Sequence, residues 1–436
     1  MSQQSPPEML DVEDGVPAPF CVIPFDRHGV CVGPERLEEV TKAAAHATDI
    51  FVFSHGWNND WGTAISRYRD FIACFAAERS RHWHPPSRDY RPVLIGLFWP
   101  STALVAPWEK APEIAGASGI ASELAERAEV RVLAEELPGA DAARLRALAA
   151  LDGLADSEAE EFATILAPIL AGKDEVLEAA PSPEELMQVW EQWACAGATY
   201  GEGEEGGFID DRRIAGPVPA NLLKRLDPRQ IIRVTTVLVM KDRAGKVGGA
   251  GVAFMLRNLL EVAPIGRIHL VGHSYGCKVL LSALCVDSAP IRPVESVLLL
   301  QPAVSSLCFA VDADGEGHSG GYRPALERVR QPILTTFSRR DIPLTRLFHL
   351  AVRRRSDLGE ALIAGAPSRF AALGGFGPRG APDDTLTVSP RVPPDGYSQA
   401  GEQTRIIAVR ADDVIHGHGD VINPATAWAL LCQVMR

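Results

Sequence analysis

Residues 267–277, Arg-Ile-His-Leu-Val-Gly-His-Ser-Tyr-Gly-Cys, carry the residue types and spacing of a nucleophile. A serine hydroxyl is a weak nucleophile until a neighbouring base and a constrained backbone act on it. Here an aliphatic run, Ile268 to Val271, meets Gly272-His273-Ser274-Tyr275-Gly276, and an apolar helical pattern (Val279, Leu280, Leu281, Leu284) follows. Strand, Gly-x-Ser-x-Gly and helix in that order form a nucleophile elbow, a sharp turn that exposes the Ser274 Oγ at the top of a sheet. Gly272 and Gly276 let strand and helix approach closely around the serine. The bare motif occurs by chance, and its bland reading is a buried turn whose serine merely caps the helix.

An elbow needs a sheet beneath it. Residues 20–25 read as a first strand, with Asp26–Gly29 turning the chain and Val30–Val32 pairing back. A helix opens at Pro34 and runs to about His46. Asp49–Phe53 is a buried strand that runs into Ser54-His55-Gly56-Trp57-Asn58-Asn59-Asp60. Ala64–Ser80 is a helix with Ile65, Tyr68, Phe71, Ile72 and Phe75 on one face. Residues 92–98 form the next buried strand, ending at Trp99-Pro100-Ser101. Strands alternating with helices predict a mainly parallel sheet. From 102 to 230 the alternation stops. Helical periodicity at about 119–150, 155–172 and 183–198, with no strand, predicts a helical insertion. A further helical stretch, 234–263, leads to the elbow strand. Strands are expected at 294–300, 332–337 and 404–409, with a Gly/Pro-rich loop excursion over 350–402. Asn423 caps a closing helix that starts at Pro424. The expected organisation is a disordered lead (1–19), a first core segment (20–101), the insertion (102–230) and a second core segment (231–436).

The net charge of −13 is unevenly spread. Residues 102–230 hold 25 Asp/Glu against 11 Lys/Arg, a net of −14, so the rest of the chain nets +1. Without a clustered positive face, nucleic acid is excluded as an expected partner. No run of 18 apolar residues exists, which predicts no integral membrane segment. The N-terminus lacks a basic n-region and an apolar h-region, so no secretory signal is read there. The 8 cysteines are scattered without a C-x-x-C pair, as reduced core thiols would be. Cytoplasm is the expected location, although a protein exported by a dedicated machine would look the same.

Phe51-Val-Phe-Ser-His-Gly-Trp-Asn-Asn-Asp60, Trp99-Pro100-Ser101 and Val271-Gly-His-Ser-Tyr-Gly276 resemble the α/β-hydrolase superfamily of serine esterases and lipases. They look like a bacterial branch of it that is sometimes labelled serine peptidase. The resemblance covers about 20–101 and 231–436. It implies an α/β-hydrolase fold, a mainly parallel central sheet flanked by helices, with the insertion as a cap over the site or, alternatively, as a homo-oligomer contact. In that arrangement the partners of the serine follow in the order Asp/Glu, then His. Four histidines follow Ser274: His318, His349, His416 and His418. The base belongs in the loop before the final helix, where only His416 and His418 lie. His418 is preferred because it feeds straight into the capped helix. Asp341, just after the 332–337 strand, is the expected acid, with Asp312 and Asp314 as alternatives.

The oxyanion formed on attack needs preorganised N–H donors. The expected donors are the backbone amides of Tyr275 and Trp57, with Gly56 turning the loop and His55 supporting it from beneath. His273 is read as packing and bonding to backbone. Gly245–Gly251 fits no phosphate-binding pattern, and His82-Trp83-His84 lacks further ligands, so neither a cofactor nor a metal is expected. These residues imply a serine hydrolase that cleaves a small-molecule carboxylic ester or other acyl substrate through an acyl-enzyme. A peptidase or acyltransferase with the same triad is the alternative, and a non-catalytic binding protein on the same scaffold is the alternative of another class.

Overall fold

The computed structural model describes residues 8–11, 16–83, 90–101, 130–151, 153–170, 182–184, 186–187, 190, 228–287, 290–347, 371–397, 401 and 403–436. The chain divides into two compact units. The first comprises Met1–Thr102, Arg243–Phe348 and Arg369–Arg436, and the second Ala103–Asp242 with His349–Ser368.

The first unit is an α/β layer structure built on nine strands: β1 (Glu8–Asp11), β2 (Pro17–Pro24), β3 (Asp49–Ser54), β4 (Pro92–Phe98), β5 (Arg267–His273), β6 (Ser296–Leu300), β7 (Ile333–Phe337), β8 (Thr385–Val388) and β9 (Ile406–Arg410). Their spatial order is β1-β2-β4-β3-β5-β6-β7-β9-β8. Every pair is parallel except β1 with β2. The central strands are buried along nearly their whole length, as strands of a parallel sheet covered on both faces are. In β3, Ile50, Phe51, Val52 and Phe53 are all buried, whichever way they point.

The helices follow from equally local signals. Helix α1 (Pro34–Ala44) starts at its proline. Helix α2 (Trp61–His82) is capped by the Asp60 side chain, which accepts from Thr63 N–H, and it buries Ala64, Tyr68, Phe71, Ile72 and Phe75. In the second unit, α3 (Gly139–Ala149) buries Ala142, Leu145 and Leu148, and α4 (Asp156–Leu166) buries Phe162, Ile165 and Leu166. Helix α5 (Pro228–Val247) continues through a π turn (Gly248–Val252) into α6 (Ala253–Val262). The Gly245–Gly251 run thus lies inside helix rather than in a phosphate loop. Helix α7 (Tyr275–Leu284) leaves the elbow, and α8 (Pro424–Val434) closes the chain.

The structure corrects two expectations. The lead is not wholly disordered: Glu8–Asp11 pairs antiparallel with β2, and β2 itself starts at Pro17. Residues 1–7 and 12–15 lie outside the described residues. Likewise 350–402 is not all loop, because β8 adds a parallel edge strand to β9. Thr385-Leu-Thr-Val388 is β-branched enough to pair, but only a tertiary partner selects so short a run against its Gly/Pro-rich flanks. Much of the expected insertion, including 102–129 and 191–227, lies outside the described residues. Among the described residues no helix is long and apolar enough to cross a membrane.

Candidate functional site

The chain order reverses across the sheet between β3 and β5. From β3 the chain winds to β4 on one side, whereas from β5 it winds to β6 on the other. In parallel sheets such a switch point opens a crevice at the carboxyl ends of the two strands. The register pairs Ser54 with Gly272, so His55-Gly56-Trp57 and His273-Ser274 leave the sheet side by side.

Ser274 sits between β5 and α7 at φ 55° and ψ −124°, a strained conformation for a residue with a Cβ. Main-chain bonds hold it there: Ser274 N–H donates to Leu300 O, and Ser274 O accepts from Cys277 N–H and Ala303 N–H. Three glycines make the elbow geometrically feasible. A Cβ on Gly276 would overlap Ser54 O and His55 O, and one on Gly56 would lie 2.8 Å from Ser274 Cβ. Gly272 packs as closely, against Cys277.

His418 and Asp341 meet this serine from different loops. His418 Nε2 lies 2.8 Å from Ser274 Oγ, and its Nδ1 lies 2.8 Å from Asp341 Oδ2. Asp341 is completely buried, one residue past the turn that ends β7. Its Oδ1 accepts from Leu344 N–H at 3.0 Å, and its Oδ2 also accepts from Gln301 Nε2–H at 3.0 Å. Both carboxylate oxygens, buried away from solvent, are thus satisfied by donors. The His418 loop is anchored at Asn423, whose side chain caps α8 while donating to Val414 O and Asp420 O.

The alternatives are not brought to the serine. His416 is exposed and lies 3.3 Å from Asp420 Oδ2 in its own loop. Asp312 is exposed and accepts from Gly315 and Gly317 N–H. Asp314 is hydrogen-bonded by Glu316 N–H and by His318, which lower its pKa to about 2. Of the remaining histidines considered for the base, His349 lies outside the described residues. His82 lies 3.5 Å from Glu78, and His84 is outside the described residues too.

The loop after β3 is pinned by groups beneath it. His55 is buried and stacks on Trp99 at 5.4 Å. Its Nε2 accepts from Trp99 N–H, so its proton sits on Nδ1, which donates to Gly56 O at 2.8 Å. Burial depresses the His55 pKa to about 4 and keeps the ring neutral in that role. Asn59 Nδ2 donates to Gly56 O and to Trp57 O, and Ser101 Oγ ties Asn59 down through both N–H and C=O. Peptide planarity then aims the Trp57 N–H away from the tethered Gly56 carbonyl. The indole Nε1 of Trp57 is buried and has no partner among the described residues.

His273 lies beside the serine, with Nε2 2.8 Å from His418 O and its ring 5.0 Å from the His418 ring. Burial, and next the neighbouring His418, push its pKa well below the ordinary value. A neutral His273 donates Nε2–H to that carbonyl and fixes the His418 backbone. Asn59, Ser101 and Gln301 were not singled out by sequence reasoning. Trp99-Pro100-Ser101 stood out as a segment, but neither Ser101 nor Gln301 has a spacing signal that ties it to Ser274.

A second Ser-His-Asp chain lies at the opposite ends of the strands. His269 Nδ1 is 2.8 Å from Ser296 Oγ, and His269 Nε2 is 3.1 Å from Asp49 Oδ1. All three residues are buried, and Arg267 lies 2.7 Å from Asp49. Burial holds His269 below its usual pKa, while the bonds to Asp49 outweigh burial and keep that carboxylate low. Ser296 lies on an ordinary strand with no elbow beneath it. This chain ties β3, β5 and β6 together, whereas the Ser274 chain sits at a switch point on a strained turn.

No protein-family model matches this chain, and no match was found among curated proteins or solved structures.

Proposed function

We propose that the protein is a serine hydrolase of the α/β-hydrolase type that cleaves a carboxylic ester through an acyl-enzyme. The observation that carries this reading is the hydrogen-bonded chain Ser274–His418–Asp341, with both contacts at 2.8 Å and the serine at positive φ on a strand-to-helix turn. Asp341 holds the Nδ1 proton of His418, which leaves the Nε2 lone pair to accept a proton from Ser274 Oγ. The Ser274 oxygen attacks the ester carbonyl carbon as that proton moves to His418. The tetrahedral oxyanion is stabilised by the backbone N–H groups of Trp57 and of Tyr275, the first residue of α7. His418 then gives its proton to the departing alkoxide. Water, deprotonated by the same imidazole, releases the acid and restores the serine.

The test has two stages. A fluorophosphonate probe should label the purified protein at Ser274 and leave Ser274→Ala unlabelled. A panel of p-nitrophenyl esters and peptide amides should then show turnover of the esters. Absence of labelling would leave a non-catalytic scaffold, and preferential amide cleavage would replace the esterase reading by a peptidase.

A further inference from the structure

Gln301 follows β6 directly and is completely buried. Its backbone stands at φ 45°, in the left-handed region that glutamine rarely occupies. Both ends of its amide are assigned by their partners. Nε2 donates to Asp341 Oδ2 at 3.0 Å and to Gly374 O at 3.2 Å, and Oε1 accepts from Thr336 Oγ1 at 3.1 Å. Gln301 N–H in turn donates to Thr336 Oγ1 at 3.0 Å. The side chain is therefore held by three hydrogen bonds, one of them to a single carboxylate oxygen, and the backbone N–H adds a fourth. That oxygen is the same one that lies 2.8 Å from His418 Nδ1.

We infer that Gln301 is a positioning residue for the acid of the triad: it shares Asp341 Oδ2 with His418, and so sets both the orientation of the carboxylate and how strongly it holds the histidine proton. This rests on the hydrolase reading above. Leu344 N–H fixes one carboxylate oxygen, and without Gln301 the other would have His418 as its remaining side-chain donor. The carboxyl group would then be free to rotate about its Cβ bond and carry the imidazole out of line with Ser274 Oγ. A donor also disperses the carboxylate charge, so removing it strengthens the pull of Asp341 on the imidazolium. His273, the other titratable ring packed on His418, is kept neutral by burial and does not offset that pull.

Gln301→Leu removes the donor at similar volume. Gln301→Glu keeps the shape but faces the carboxylate with a second carboxyl group. Two carboxyl groups at that distance cannot both ionise, so the variant bridges them with a proton when it can. In Gln301→Leu, kcat for p-nitrophenyl acetate should fall about 10–100-fold, as small misalignments at reacting groups do. KM should stay within about twofold, because the residue touches no substrate, and the acid limb of the rate profile should move to higher pH. Gln301→Glu should retain activity near neutral pH, where the shared proton is still bound and His418 is free to act as base, and lose it on an alkaline limb that the parent protein lacks.

Circular dichroism reports folding. If Gln301→Leu fails to fold, the Gln301→Glu profile decides. A folded Gln301→Leu with unchanged kcat and pH midpoint, or a Gln301→Glu profile superimposable on the parent, overturns the role of Gln301. Fluorophosphonate labelling of the parent separates the two levels. If the parent labels at Ser274 and the Gln301 variants label at the same rate at every pH, only this inference falls. If the parent does not label, the hydrolase reading falls and this inference with it.

Discussion

Ser274 is held at a positive φ by three main-chain hydrogen bonds, and local strain of this kind persists only where surrounding structure over-determines it. Its hydroxyl, 2.8 Å from the half-buried imidazole of His418, is the group on which activity should depend most. Ser274→Ala should lower ester hydrolysis by about 10⁴–10⁶ without unfolding the protein, as triad knockouts do. His418→Ala should be about as damaging, whereas His416→Ala should cost little, since His416 faces Asp420. Rates of the purified variants on one ester check the ranking, and a reversed order would move the base to His416. The buried chain at Ser296 supplies the contrast. Ser296→Ala leaves His269 Nδ1 without its partner, so it should lower stability by about 1–3 kcal/mol while kcat stays near that of the parent. Chemical denaturation and one kinetic assay read both halves, and a large loss of kcat in a folded variant would contradict the structural role given to that chain.

At the scale of elements, the elbow depends on how closely α7 approaches β3. A methyl group on Gly276 would occupy the space of Ser54 O and His55 O, backbone atoms that cannot swing aside. Gly276→Ala should therefore destabilise by at least the ~1–3 kcal/mol usual for overpacking, with loss of activity, because the strand that leads to the Trp57 loop must shift. Asn423 joins two elements: it caps α8 and holds the turn that carries His418. Asn423→Ala should cost about 1–2 kcal/mol, the upper part of the range for a lost cap, and should lower kcat more than it raises KM. Urea midpoints and steady-state kinetics test both variants. Most elements are legible because each announces itself locally. Pro34 opens α1, Asp60 caps α2, and unbroken apolar runs mark β3 and β4 as buried on both faces. Strand β8 does not announce itself: it is four residues long, at an edge, and is selected by β9 rather than by its own sequence.

At the scale of the whole molecule, acid should weaken the fold before carboxylates alone would. His55, His269 and His273 are each held below the ordinary imidazole pKa, chiefly by burial. A histidine whose folded pKa lies below its unfolded value binds fewer protons when folded. Its contribution to stability is therefore full above the unfolded value of about 6.5 and declines as pH falls below it. For His55 the decline continues to about pH 4, at up to ~1.4 kcal/mol per unit of pH. Asp49, held low by its bonds to His269 and by Arg267, adds a loss in the same direction at lower pH. Urea midpoints should be flat from pH 7 to 8 and fall steadily from pH 6 to 5. A midpoint that holds or rises over that interval would contradict the buried neutral histidines.

The amino-acid sequence alone determined the alternation of strands and helices, the elbow around Ser274 and the candidacy of His418 and Asp341. The first two rest on short-range physics, namely hydrophobic period, helix caps and glycines at a tight turn, whereas the candidacy of His418 and Asp341 rests on the chain order that the resemblance implies. What only the tertiary structure decided is which groups support them. Gln301 reaches Asp341 across 40 positions of chain, and Ser101 reaches Asn59 across 42. Nothing in a linear spacing encodes such pairs, because they meet only once β4 and β6 are fixed in the sheet. Packing likewise separates His418 from His416: the folded loop points the first at Ser274 Oγ and the second at Asp420. The Ser296–His269–Asp49 chain makes the same point from the other side: three residues of triad type become a structural tie because the sheet buries them at its far end, away from the switch point.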